Sequence, residues 1–446
     1  MASPSPLPKV RLRTAFSYWL KLGFISFGGP AGQIAVMHRD LVENKRWISE
    51  RRFLHALNYC MVLPGPEATQ LAIYIGWLMH RTAGGILAGT LFVLPSLLIL
   101  MALSWIYMAF HELPVIAGIL YGVKPAVVAV VAFAAWRIGS RALVNWPLRA
   151  LAAASFVGIV VFGTPYPVIV LGAALIGFVG GRVAPDKFAL GAEPGGTTAC
   201  GAPALVDDDT LPPPHAQLRV KRILLTALSG VGLWSGAMGL LIFCFGVDSL
   251  PAQLSWFFTK AALLTFGGAY AALPYVYQGA VEQFHWLSAA QMMDGLALGE
   301  TTPGPLIMIV SFVGFAGGWG AQFFGPDRLW LAGGVAAIVA TFFTFLPSFV
   351  FVIAGGPLIE STRNNVRLSA PLSGITAAVV GVILSLAAFF AYRVLWPDGI
   401  PGRFDTASAV LTIIAAAALF RFKVGMIPLI LACGLFGMFY RLAFSF

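Results

Sequence analysis

Charge is the scarcest thing in this chain. Only 10% of its 446 residues are Asp, Glu, Lys or Arg, against about 25% in an ordinary soluble domain. That shortage excludes a fully solvated globular surface. Cysteine is equally sparse: Cys60, Cys200, Cys244 and Cys433 show neither metal-ligand spacing nor a disulfide framework. The six histidines have no paired spacing, and no Walker phosphate loop occurs. A metal centre, a nucleophile with its base and direct ATP drive therefore find no support, so no catalytic residue, metal or cofactor is expected. The N-terminus lacks the apolar core and cleavage site of a signal peptide. A net charge of +10 comes without any exposed basic domain. It reads as the Lys/Arg bias of membrane loops, not as nucleic-acid binding.

What fills the chain instead is apolar. Hydrophobic residues make up 59%, mean hydropathy is +0.85, and runs such as residues 83–110 are long enough to cross a bilayer. Alternating short strands are missing, so the expected class is an all-α polytopic membrane protein and not a β-barrel.

The chain also repeats itself. Phe27-Gly28-Gly29 recurs as Phe266-Gly267-Gly268, and Pro64-Gly65-Pro66 as Pro303-Gly304-Pro305. Trp47-Ile48-Ser49 returns as Trp286-Leu287-Ser288 and Lys21 as Lys260, all at one offset of 239 residues. Leu94-Pro95-Ser96 matches Leu346-Pro347-Ser348, and Gly122 matches Gly374, at 252. The shift places an insertion near 317–328. Broken segments are expected at 14–36, 53–79, 254–276 and 291–315. Whole spans follow near 83–110, 114–136, 146–163 and 165–182, and again near 331–354, 369–391, 406–420 and 424–440. The layout reads as an N-terminal repeat (1–182), a flexible polar linker (183–221), a connecting helix (222–247) and a C-terminal repeat (248–446).

Loop charge orients the repeats. The first copy's loop carries Arg39, Lys45, Arg46, Arg51 and Arg52, whereas its counterpart at 278–286 has no Lys or Arg. Equivalent loops of opposite bias belong on opposite sides of a membrane. The pattern is that of two inverted-topology repeats with broken or re-entrant helices, an architecture of secondary transporters. Phe53–Leu63 and Glu67–Trp77 are 11 residues each. Such an arm is about 16 Å long and reaches only the middle of a bilayer core of about 30 Å. A pair of proline-kinked full spans remains the alternative.

A break at that depth suits an anion. Helices restarting after Pro66 and Pro305 direct free N–H groups and a partial positive charge at the centre. Gly28, Gly29, Gly65, Gly267, Gly268 and Gly304 allow close backbone approach, and Phe27, Phe266, Pro64 and Pro303 complete the breaks. Lys21 and Lys260 are cations within membrane segments, which mark a pathway or a paired charge; snorkelling is the bland reading. Glu67 and Glu300 are candidates for proton relay, with capping of the helix dipole as the bland reading of Glu67. Ser26, Thr69, Gln70, Thr265, Thr301 and Thr302 are candidate hydrogen-bond partners or local caps.

The strings Phe27-Gly28-Gly29-Pro30, Leu63-Pro64-Gly65-Pro66-Glu67-Ala68-Thr69-Gln70 and Glu300-Thr301-Thr302-Pro303-Gly304-Pro305 resemble the long-chain chromate ion transporter family. That resemblance spans nearly the whole chain. It implies an inner-membrane protein of bacterial type that exports chromate and confers chromate resistance, with sulfate as the related oxyanion. Both are tetrahedral dianions, and no motif separates them. Lipid is the surrounding partner, and a homodimer is the default assembly.

Overall fold

The computed structural model describes residues 10–27, 29–188, 204–207, 213–266, 268–361, 369–400 and 402–443. Gly28, Gly267, Cys200, Arg363, Arg367 and most of the polar linker lie outside the described residues. Within them the chain is helical, with a single bridge between Ile48 and Val206 in place of any sheet. Among the described residues, seven helices are long and apolar enough to cross a membrane.

The first half opens with α1 (Leu12–Ile25), α2 (Gly29–His38), α3 (Glu50–Val62) and α4 (Glu67–Phe110). It continues with α5 (Pro114–Ala142), α6 (Trp146–Val160), α7 (Tyr166–Val183) and the short α8 (Pro185–Phe188). After the linker, α9 (Val220–Phe245) leads to α10 (Leu250–Leu264), α11 (Ala269–Tyr277), α12 (Ala289–Thr301) and α13 (Ile309–Ala321). The second half ends with α14 (Leu329–Ser361), α15 (Ser369–Leu395), α16 (Thr406–Phe420) and α17 (Met426–Ala443).

The duplication extends to the backbone. α2 and α11 each pass into a one-turn π-helix, Arg39–Asn44 and Gln278–Gln283, at the offset of 239. Each turn ends in a left-handed residue, Arg46 (φ 51°) and His285 (φ 52°). Trp47 N–H then donates to Leu41 O, and Trp286 N–H to Ala280 O, both at 2.8 Å. Ser49 and Ser288 cap the next helices through their side chains. Helices α16 and α17 match α6 and α7 in length.

Both pairs of arms are hairpins. Arg52, at the start of α3, pairs with Glu360 at 3.1 Å. Tyr74, late in the following arm, donates to the same carboxylate. Two arms that meet one side chain with their outer ends leave by the face they entered, which a kinked full span cannot do. A reversal at His80 and Arg81 (φ 58°) then folds α4 back on itself, with Gly76 packed on Gly84 and Ala88. Gly295 of α12 likewise packs on Phe312 of α13.

The halves are inverted. His80 bonds Val10 O at 2.8 Å, while Tyr107, 27 residues further along α4, bonds Asp294 of α12 at 2.9 Å. At 1.5 Å per residue those ends lie about 40 Å apart, on opposite faces. The first repeat's hairpins thus open at one face and the second repeat's at the other.

Small residues let the halves interlock. A Cβ on Gly122 would collide with Cys433 O of α17, and one on Gly374 would lie 2.5 Å from Ala173 O of α7. In lipid, where apolar burial drives little association, this close packing is a main source of helix cohesion.

The described parts of the polar linker are docked. Val206 N–H donates to Trp47 O and accepts from Ser49 N–H at its carbonyl, both at 3.1 Å. His215 lies 2.9 Å from Trp77 O and edge-on to the Trp77 ring. Burial lowers the His215 pKa, and the charges of Arg81 and Arg222 add to the effect.

Candidate functional site

Four breaks meet in the middle of the molecule and satisfy one another. Gly65 N–H donates to Thr265 O at 2.7 Å, and Gly304 N–H donates to Ser26 O at 2.7 Å. Gly65 and Gly304 are equivalent residues, as are Ser26 and Thr265, so one bond is the two-fold image of the other. Unpaired peptide groups at this depth would be costly in lipid, and here each repeat supplies the partner the other needs. Gly65 (φ 125°) and Gly304 (φ 102°) hold conformations closed to other residues. A Cβ on Gly65 would collide with Ser348 of α14, and one on Gly304 with Ser96 of α4. Each Pro-Gly-Pro break therefore sits on the Leu-Pro-Ser segment of the opposite repeat.

Four half-helices start around this crossing: α2, α4, α11 and the turn Leu306–Met308 that leads into α13. No side chain caps α4, α11 or that turn, so their first N–H groups point free positive ends inward. Buried polar atoms lie among them. Gln33 donates to Gly304 O, and Gln70 to Pro64 O at 2.7 Å. The hydroxyls of Ser26, Thr69 and Ser96 and the amide oxygens of Gln33 and Gln70 have no partner among the described residues. Buried hydroxyls normally have one. The donors in this shell, the Ser26, Thr69 and Ser96 hydroxyls and the free helix-start N–H groups, can hold a small oxyanion, whereas the two amide oxygens can only accept.

The residues read from sequence divide into two groups. Pro64, Gly65, Pro66, Thr69, Gln70, Pro303, Gly304 and Pro305 lie at the crossing, and Glu67 reaches Gly268 from the other repeat, whereas a Cβ on Gly29 would meet nothing within 4 Å. Thr301 and Thr302 commit their hydroxyl protons to Leu298 O and Gly299 O, both at 3.0 Å, which is local back-bonding. Glu300 is buried and accepts from Tyr270 at 2.7 Å. Phe27 is 39% exposed, and Phe266 is half-buried.

The two lysines lie on exposed faces, away from the crossing. Lys21 lines a cavity of about 540 Å³ with Arg13, Ser17, Asp40 and Lys45. Five residues separate it from Ser26, about 7.5 Å along the helix. Lys260 stands 5.7 Å over the Trp256 ring. Sequence reasoning missed Ser96, Ser348 and Gln33. The repeated Leu-Pro-Ser was the available signal for the serines, but Gln33 has none, since Ala272 is its counterpart.

Buried charges flank the crossing on both faces. One is the Arg52–Glu360–Tyr74 cluster. The other joins Asp294 to Tyr107 and, at 3.7 Å, to Lys124. Asp294 is the counterpart of His55, and Tyr107 of Ile359; His55 bonds Ile359 O at 2.9 Å. Among the described residues no group of three His, Cys, Asp or Glu could hold a metal ion.

Comparison with known proteins agrees with this architecture. The chromate transporter family model matches twice, at 13–178 and 252–438, once in each repeat. The chromate transport protein of Cupriavidus metallidurans is 31% identical over 425 residues, covering 95% of this chain and 92% of that one. The chromate transport protein of Pseudomonas aeruginosa is 32% identical over 450 residues, covering 98% and 93%. The uncharacterized transporter YwrA of Bacillus subtilis is 31% identical over 124 residues, only 27% of this chain but 70% of its own length. No solved structure matches. These similarities point to a transporter rather than an enzyme. With family matches in both repeats and full-length relatives above 30% identity, this multi-pass membrane protein belongs to the chromate transporter family.

Proposed function

We propose that this chain is a secondary transporter that exports chromate across the bacterial inner membrane, binding the dianion at the crossing between its repeats. The carrying observation is the reciprocal pair Gly65–Thr265 and Gly304–Ser26, surrounded by unpartnered Ser26, Thr69 and Ser96 hydroxyls. Preformed donors and helix starts suit a tetrahedral dianion, whose charge they stabilise without reorganisation. Lys21, with Arg13 and Lys45, draws the anion to one mouth, and Lys260 marks the equivalent place at the other. In this reading the first repeat (1–182) opens inward, the helix at 222–247 reverses the chain, and the second repeat (248–446) opens outward. The basic loop of the first repeat then lies inside.

Radiolabelled chromate flux in proteoliposomes, with pH and voltage imposed separately, tests this. Accumulation against a gradient supports coupled transport, whereas purely dissipative flux indicates a channel. Flux of sulfate with no chromate flux would reassign the substrate to the related dianion.

A further inference from the structure

The crossing is symmetric in backbone but not in charge. Glu67 begins α4 in the first repeat, and its carboxylate reaches over to the second. Its Oε1 lies 3.5 Å from where a Cβ on Gly268 would stand, at the start of α11. At the second residue of α11, Tyr270 holds Glu300. The equivalents of Glu67 and Glu300 are Leu306 and Met61, so the start of α2 has no such carboxylates. A Cβ on Gly29, the twin of Gly268, would meet nothing within 4 Å.

Glu67 has no ion pair among the described residues. The Cys60 thiol on α3 lies close enough to feel the Glu67 charge; on the other repeat the contact of the Glu67 carboxylate is with Gly268, while Tyr270 of α11 is engaged with Glu300 of α12. Capping of α4 does not explain Glu67, because the twin break folds with Leu306 in its place. A carboxylate at one helix start that reaches the start of another, at a crossing whose Thr69 and Ser26 hydroxyls are buried without a partner among the described residues, is a tethered anion in a site built for a free one.

We propose that Glu67 is the proton-coupling carboxylate of the transport cycle. Ionised, it holds the start of α11 and repels a second anion; protonated by water from the open face, it yields the site to the oxyanion. Proton and oxyanion then bind together and leave together, the proton returning to water on the far side. This rests on the anion site at the crossing described above.

The test uses the full-length protein in proteoliposomes clamped at zero voltage. Chromate flux and proton movement are measured for wild type, Glu67→Gln and Glu67→Asp, with chromate binding measured across pH. Wild type should move protons in the direction of chromate and bind about tenfold more tightly per unit fall in pH while one proton is linked. Glu67→Gln should bind with the acid-side affinity at every pH and move no protons, and Glu67→Asp should restore proton movement. Chromate takes up a proton itself near neutrality, but equally for every variant, so the difference between variants is the readout. Unchanged pH dependence in Glu67→Gln overturns the proposal, as does loss of binding at all pH. Absence of chromate flux and binding in the wild type would instead defeat the transport reading.

Discussion

The two mouths of the molecule share a backbone and differ in chemistry. In the first repeat, Lys45 sits over the rings of Tyr18 and Trp47, at 5.6 and 5.7 Å. In the second, the same three positions are Phe284, Phe257 and Trp286, with Phe284 stacked on Trp286 at 4.6 Å. A cation–π contact has become an aromatic stack on an equivalent π-turn. The fold therefore places no demand on charge there. What differs between the positions is the face of the membrane, and cations concentrate on one face only.

The flanking clusters offer the sharpest way to break that comparison. Arg52 and Glu360 are each 2% exposed, so Arg52→Ala leaves a carboxylate buried without its cation. About 3–5 kcal/mol of stability should be lost, read as thermal unfolding in detergent. Lys124→Ala at the opposite cluster also strips a buried carboxylate of its cation, but should cost less, because Lys124 is 28% exposed and 3.7 Å from Asp294. Equal losses would show that the two faces are held alike.

Gly65→Ala and Gly304→Ala probe the symmetric part. Each forces a side chain into a positive-φ site and onto a serine of the other repeat, at about 1–3 kcal/mol. Both should lower chromate flux per inserted molecule to a similar degree. A large effect in one alone would mean that the crossing is not functionally paired.

Lys21→Ala should slow chromate flux several-fold at low salt and less at high salt, as expected for steering into a basic cavity. Lys260→Ala, with no other Lys or Arg close to it in the sequence, should have the smaller effect. Normal flux in both variants would remove the lysines from the pathway.

The smallest effect concerns the docked linker. The lowered pKa of His215 means that the folded state binds fewer protons than the unfolded chain as pH falls through the ordinary imidazole range. Docking should accordingly weaken on acidification, seen as faster amide exchange at Val206 and Ala216, and His215→Gln should flatten that response.

Much of this was legible in the sequence because the cues are local. Gly-Gly and Pro-Gly-Pro interrupt a helix wherever they fall, and arms of 11 residues are too short to span. Both features appear as α1–α2 and α3–α4 and recur as α10–α11 and α12–α13. Other residues were opaque. Ser96 and Ser348 lie 252 residues apart and matter only because each meets the other repeat's glycine. Lys21 and Lys260 share the spacing of the breaks, yet helix rotation turns them to exposed faces, which spacing along the chain does not reveal.

Sequence alone determined the solvent, the duplication and the positions of the breaks. Composition must match the bilayer, and each break is written in the residues that make it. Tertiary structure decided which breaks face each other, that Gly65 finds Thr265 while Gly304 finds Ser26, and that Glu67 reaches across to Gly268. Those pairings join residues some 200 or more positions apart, and only the packing of inverted halves brings their backbones within hydrogen-bonding distance.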